Sequence, residues 1–285
     1  MDTRAHSGAG EAPAVGPQHR QSTPAARHRP WLRWALWLTA WPALLGGAAA
    51  VAGAVPVEPV LGYALAFGVV AAQTLCVAWA APTPSRTQLR LIVVPIAVVY
   101  AVYLGGASGV AAAMIVTAGL LAAGTLLGAA IGAGIEHPGH LLFVALISSG
   151  MDALSVLHPR GLSAALVKSE AALSALAMSW PLLGTDAIAP ILGVGDVVFA
   201  ALYVAASRAH GLPLTRTLWA LSLAFFATLC LVIAVEIPVP ALPLLGLAIV
   251  AAHPQARRPR ASDRRAGWVG VGLLVIVGVV LFLTR

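Results

Sequence analysis

Long apolar stretches separated by short polar breaks make up most of the chain. Runs of about 20 apolar residues are typical of helices that cross a bilayer. Nine such runs occur, at residues 31–55, 57–81, 88–107, 109–134, 139–158, 187–208, 213–236, 239–253 and 267–283. The pattern therefore predicts an all-α, polytopic membrane protein with about nine transmembrane helices.

The polar breaks divide the chain into four parts. Residues 1–30 are rich in Pro, Gly, Ser, Arg and His and lack periodicity, which predicts a disordered basic tail. Residues 31–134 form a predicted four-helix membrane region. Residues 139–253 form a second membrane region that carries the candidate chemistry, and residues 267–285 add a C-terminal transmembrane helix.

Composition supports this class of protein. Of the 285 residues, 60% are hydrophobic and only 9% are charged, whereas soluble domains carry about 25% charged residues. The two cysteines, Cys76 and Cys230, both fall inside apolar runs. They are therefore interpreted as packing residues and not as a disulfide framework.

The positive charge is distributed according to topology. When the N-terminus is placed in the cytoplasm, all but three of the 17 Lys and Arg residues fall on the cytoplasmic side, the exceptions being Arg160, Lys168 and Arg285. This bias follows the positive-inside rule. It predicts a multi-pass protein of the cell membrane with a cytoplasmic N-terminus. The net charge of +7 then favours contact with anionic lipid and does not indicate a nucleic-acid partner.

Two acidic residues lie well inside apolar runs. Asp152 occurs in HLLFVALISSGMDALSVL, and Asp196 occurs in ILGVGDVVFAALY. Each carboxylate costs about 2.5–3.5 kcal/mol to insert at mid-membrane, so a role in function is the default interpretation. Antiparallel neighbouring helices would bring the two groups to similar depth, where the pair would share one proton. Such a pair can perform aspartyl proteolysis, or it can relay protons or cations in a transporter.

Three motifs favour the first alternative. Asp152 is followed by ALSVLHPRG, residues Gly193 to Asp196 form a GxGD sequence, and Pro240, Ala241, Leu242 and Pro243 form PALP. In this order along the chain they resemble the presenilin and signal peptide peptidase family of intramembrane aspartyl proteases. The resemblance covers about residues 150–246. Met151 replaces the usual tyrosine, and the first aspartate falls on the fifth predicted helix instead of the sixth. Prepilin peptidases share GxGD but lack the PAL motif.

The resemblance implies a presenilin-like fold, with Asp152 and Asp196 as catalytic residues and no metal or cofactor. It also implies that transmembrane proteins or signal peptides are the substrates, and the predicted topology is similar to that of signal peptide peptidases. Gly193 and Gly195 would allow close backbone approach. Pro240 and Pro243 would disturb a helix start. Gly193, Gly195, Pro240, Ala241 and Leu242 are therefore candidate substrate-binding residues. There are two alternatives to substrate binding. The glycines would serve helix packing, and the two prolines would simply mark the start of a helix.

Other segments could carry chemistry of their own. Residues 106–109 read GASG, a serine-protease motif of rhomboids, but no Trp-Arg pair or His-x-x-x-Asn accompanies the serine, and a tight hairpin between helices is the favoured interpretation. His137 and His140 in EHPGH could bind a metal but lack further ligands nearby. Residues 159–186 suit an amphipathic interfacial helix with Leu173, Leu176 and Trp180 on one face. It would either contact substrates or cover the bundle.

Overall fold

A computed structural model of the chain describes residues 29–83, 85, 88–158 and 169–283. Most of the predicted basic tail lies outside these residues. The described residues form ten α-helices and one two-stranded antiparallel sheet. The helices are α1 (Arg29–Val51), α2 (Pro59–Ala80), α3 (Val93–Leu104), α4 (Gly109–Ala133), α5 (His140–Leu157), α6 (Glu170–Leu176), α7 (Val194–Ala209), α8 (Leu214–Val235), α9 (Leu242–Ala252) and α10 (Ala261–Leu283). The strands are β1 (Ala177–Pro181) and β2 (Ile188–Gly193).

The chain is mostly helical and has the long apolar helices of a membrane protein. Among the described residues, α1, α2, α4, α5 and α8 are long and apolar enough to cross a bilayer. Two further apolar helices are shorter, at Leu89–Leu104 and Leu242–Ala252. The all-helical membrane class is therefore confirmed in its main outline, while the count of nine spans stays a prediction.

The predicted span at 187–208 is wrong in its first third. Its first residues form β2, and α7 begins only at Val194. Pro190 lies in the middle of this stretch and lacks the N–H that a helix interior requires. A short apolar run does not distinguish a buried strand from a helix. As a result, Asp196 lies in the first turn of a helix, and not in the middle of one.

The predicted amphipathic helix is also shorter than expected. Residues 159–168 lie outside the described part of the chain, and α6 ends at Leu176. Trp180 is a buried residue of β1 and does not extend the helix. β1 pairs with β2 from Ala177 opposite Gly193 to Pro181 opposite Ile188.

The hairpin of β1 and β2 is held at its middle and at its tip. In the middle of β1, the Ser179 N–H donates to the Thr117 Oγ1 of α4 at 3.2 Å. At the tip, the Gly184 N–H donates to the Ala52 carbonyl at 2.9 Å. Gly184 has a φ of +87°, and a Cβ there would meet the Val57 carbonyl. The hairpin therefore has a defined position between α4 and the connection from α1 to α2.

Helix α7 is largely buried and packs closely against α4. Gly124, Gly128 and Gly132 repeat every four residues along α4, on the face that meets α7. A Cβ on Gly128 would lie 2.8 Å from the Ala201 Cβ and 2.9 Å from the Leu202 nitrogen. Small residues at this spacing let two membrane helices approach backbone to backbone. This contact fixes the position of α7.

Candidate active site

Asp152 is attached to the segment that carries the PALP sequence. It lies on α5, five residues before the helix ends at Leu157. Its Oδ2 accepts a hydrogen bond from the Leu242 N–H at 3.0 Å. Leu242 is the first residue of α9, where backbone N–H groups have no partner within the helix. The carboxylate of one helix therefore satisfies the free amide end of another.

The start of α9 is irregular, as the proline pattern predicts. Helix α8 ends at Val235, and Glu236 takes a left-handed conformation with φ 52°. Residues 236–241 are non-helical, and Pro243 occupies the first turn of α9. The Ser149 Oγ lies 3.5 Å from the Leu242 carbonyl oxygen. Because Asp152 and Ser149 lie on one helix, α5 contacts both ends of the Leu242 residue.

Asp196 lies where strand becomes helix. Strand β2 ends at Gly193, and Asp196 is the third residue of α7. A carboxylate in the first turn of a helix interacts favourably with the helix dipole. A Cβ on Gly193 would lie 3.6 Å from the Asp196 Oδ2, while Gly195 is exposed and no described atom would lie within 4 Å of a Cβ there. The backbone beside this carboxylate is therefore accessible.

The structure brings Asp152 and Asp196 together from two different helices. Their carboxyl groups are within range of a direct electrostatic interaction. Both side chains are half-buried. Two carboxyl groups from different helices therefore act on each other at one place, beside the start of α9.

A cavity of about 880 Å³ extends from this site along α5. Asp152, Ser155 and Leu242 line it at one end, and α7 contributes Val198 and Phe199. Its other end is bordered by residues of the α10 start and by His140. Of the two aspartates, Asp152 lines the cavity directly. The cavity leads from the surface of the bundle to the candidate site.

The alternative sites lack the required partners in the described part of the chain. Ser108 precedes α4 in a turn where Gly106 and Gly109 have positive φ. The residues lining the adjacent cavity of about 570 Å³ do not include a histidine. His140 Nε2 lies 2.8 Å from Asp263 Oδ2, and His137 Nδ1 accepts from the Gly139 N–H at 3.0 Å. No group of three metal-ligating side chains occurs among the described residues.

Sequence reasoning missed three features around the site. The glycines of α4, at positions 124, 128 and 132, could have been found from their four-residue spacing. The hairpin could have been suspected from Pro190 inside an apolar run. The contact of Ser149 with Leu242 has no signal in the sequence, since it depends on how α5 and α9 are packed.

No family model, no curated protein and no solved structure matches this chain. The presenilin-like resemblance therefore depends on the motifs alone.

Proposed function

We propose that this protein is an intramembrane aspartyl protease that hydrolyses peptide bonds within the transmembrane segments of other proteins or within signal peptides. The observation that carries the proposal is the approach of Asp152 and Asp196, from α5 and α7, beside the irregular start of α9. An acid pair with an accessible backbone next to it is what peptide hydrolysis requires. The proposed site is an enzyme active site and needs no cofactor.

In the proposed reaction, the two carboxyl groups share one proton and hold a water molecule between them. The ionised carboxylate removes a proton from the water as it attacks the scissile carbonyl. The protonated carboxylic acid donates its proton to the carbonyl oxygen, which gives a neutral tetrahedral intermediate. Transfer of a proton to the leaving amide nitrogen then breaks the C–N bond. The pair titrates as a unit, so neither residue has a fixed role before substrate binds.

Substrate must be extended at the bond that is cut, because a helix hides its carbonyl carbons. Among the described residues the sheet has two strands, so β2 has one edge without a strand partner in that part of the chain. A substrate strand added to this edge would hydrogen-bond to backbone and run directly toward Asp196. The accessible backbone at Gly193 and Gly195 supports this placement. Ala241 and Leu242 would border the substrate from the side of Asp152.

Cleavage of a labelled transmembrane peptide by the purified protein in liposomes tests the proposal. Asp152→Asn keeps an oxygen that can accept from the Leu242 N–H, so this variant removes the acid–base function with little loss of packing. It and Asp196→Asn should each lower the cleavage rate by about 10² to 10⁴-fold. Glu136→Gln, at an exposed carboxylate outside the site, is the matched control and should cut normally.

Ion flux across the same liposomes separates the protease from a transporter. The proposal requires cleavage that both aspartate variants abolish, together with inhibition by an aspartyl transition-state analogue. Flux of protons or cations that depends on the two aspartates, without any cleavage, would contradict it.

A further inference from the structure

Helix α10 lies along α5, with its start at the start of α5. The contacts pair Gly267 with Phe143, Gly270 with Ile147, Leu274 with Gly150 and Gly278 with Leu154. The residue numbers of both helices increase together along this series of contacts, so the two helices are parallel. Phe143, Ile147, Gly150 and Leu154 share one face of α5. Asp152 is two residues from Gly150, and at 3.6 residues per turn it lies about half a turn around the helix. α10 and the candidate active site therefore lie on opposite sides of α5.

The cavity described above occupies the side of α5 between these two. Val144, Met151 and Ser155 form its floor, the start of α10 forms one wall, and α7 forms the other. Met151 is 54% exposed although it lies between the two walls. A helix about 10 Å across and rising 1.5 Å per residue fills about 120 Å³ per residue. The volume of about 880 Å³ therefore corresponds to roughly two turns of a docked helix.

The open end of this groove is bordered by a strongly basic segment. Five arginines occupy positions 257, 258, 260, 264 and 265, and all are exposed. Gly139, just before α5, packs against the Arg258 carbonyl and Pro259, which places the segment at the start of α5. Ser262, Asp263 and Ala266 from the same stretch line the groove.

The acidic residues nearby are too few to neutralise the five arginines of this segment. Asp263 pairs with His140, at 2.8 Å. Glu136 is exposed on the neighbouring connection. None of the five arginines forms an ion pair with a carboxylate in the part of the chain that the structure describes. Arg257 caps α9 by donating to the Val250 carbonyl at 2.8 Å. Arg260 interacts electrostatically with Asp263.

We infer that the groove between α5, α7 and α10 docks a transmembrane helix with an acidic flank, and that Arg260 and its neighbouring arginines bind the carboxylates of that flank. This inference rests on the proposed function and names its substrate class. The apolar floor of the groove contacts the docked helix, and the arginines at the open end of the groove fix the register of that helix. The far end of the docked helix then unwinds toward Asp152. Charge complementarity at the mouth would then select among membrane segments of equal hydropathy.

Docking can be measured without cleavage in a full-length protein that carries both Asp152→Asn and Asp196→Asn. A photo-reactive amino acid in place of Met151 would report occupancy of the groove by cross-linking. Two labelled peptides share one apolar segment and differ only in three glutamates or three lysines at one flank. The vesicles contain phosphatidylcholine only, so that anionic lipid does not compete. We expect the acidic peptide to cross-link roughly fivefold more than the basic one, and this difference to fall at high salt.

Arg260→Glu should abolish or reverse the preference. Arg90→Glu makes the same change at another exposed arginine, outside the groove, and should preserve it. Equal cross-linking of the two peptides, or equal effects of the two arginine variants, would overturn the inference and show that the arginines act on lipid or topology only. Selective docking of a peptide that the wild-type protein never cuts would support the inference while refuting the protease proposal.

Discussion

The contact between α4 and α7 gives the sharpest test of the fold around the candidate site. In Gly128→Ala, the added Cβ would lie 2.8 Å from the Ala201 Cβ and 2.9 Å from the Leu202 nitrogen, and would overlap the Val198 carbonyl oxygen. Carbon atoms pack best at about 3.5–4.0 Å. The two helices must therefore separate by about 1 Å at this point.

The cost of that separation can be bounded. A gap of 0.5–1 Å removes about a quarter to a half of the dispersion energy of each contact that it opens. Overpacking of this kind typically costs about 1–3 kcal/mol. We expect Gly128→Ala to lower the free energy of unfolding by that amount, although alanine favours a helix over glycine by about 1 kcal/mol. The loss should be accompanied by slower cleavage, because α7 carries Asp196.

Thermal and denaturant unfolding of the purified protein, followed by circular dichroism, measures the effect. Gly68→Ala is the matched control, because Gly68 lies within α2 on an exposed face and a Cβ there would meet no described atom within 4 Å. It should leave stability unchanged or raise it slightly. If Gly128→Ala unfolds at the same midpoint as the wild type, the backbones of α4 and α7 do not approach each other closely at Gly128.

Three further predictions concern polar and backbone features. Thr217→Val removes the 2.8 Å bond to Ser207 and the 2.9 Å contact with the His253 ring, so it should lower the free energy of unfolding by about 1–3 kcal/mol; an unchanged denaturant midpoint would contradict this. The hydrogen bond from His140 holds the pKa of Asp263 below its ordinary value. The ionised carboxylate therefore stabilises the folded protein at pH values above the unfolded-state pKa, and this stabilisation is lost as the pH falls through the folded-state pKa. Proteolysis of the α9–α10 connection should rise at acidic pH, and Asp263→Asn should remove this component of the pH dependence. Gly184→Ala should slow cleavage of a transmembrane peptide because the hairpin tip has a positive φ and contacts the Val57 carbonyl, and a wild-type rate would show that the tip is unimportant.

The membrane class and the neighbourhood of the site were predictable because they depend on local sequence. Placing a charged side chain inside a bilayer costs so much free energy that Asp152 and Asp196 can be identified as candidate functional residues from the sequence alone. The irregular start of α9 was likewise predictable, since Pro240 and Pro243 lack the N–H groups that a regular helix uses.

The hairpin and the α10 contact were not predictable by the same reasoning. A short apolar run fits a strand and a helix equally well, so Ile188 to Gly193 read as part of a helix. The parallel contact of α10 with α5 is set by Gly267, Gly270 and Gly150, and glycine is common throughout the chain (28 residues). Sequence identifies small residues, but only three-dimensional packing shows which of them meet.

The seat of the hairpin tip on the α1–α2 connection has a consequence for biosynthesis. Ala52, Val57 and Gly62 leave the ribosome more than a hundred residues before the strand that leads into Asp196. The α1–α2 connection is therefore synthesised first, and the hairpin whose tip packs against it is synthesised much later. A shortened product that starts downstream of residue 62 would still encode both acids, yet it would lack the platform on which the β-turn rests, and we expect it to reach the membrane without becoming active.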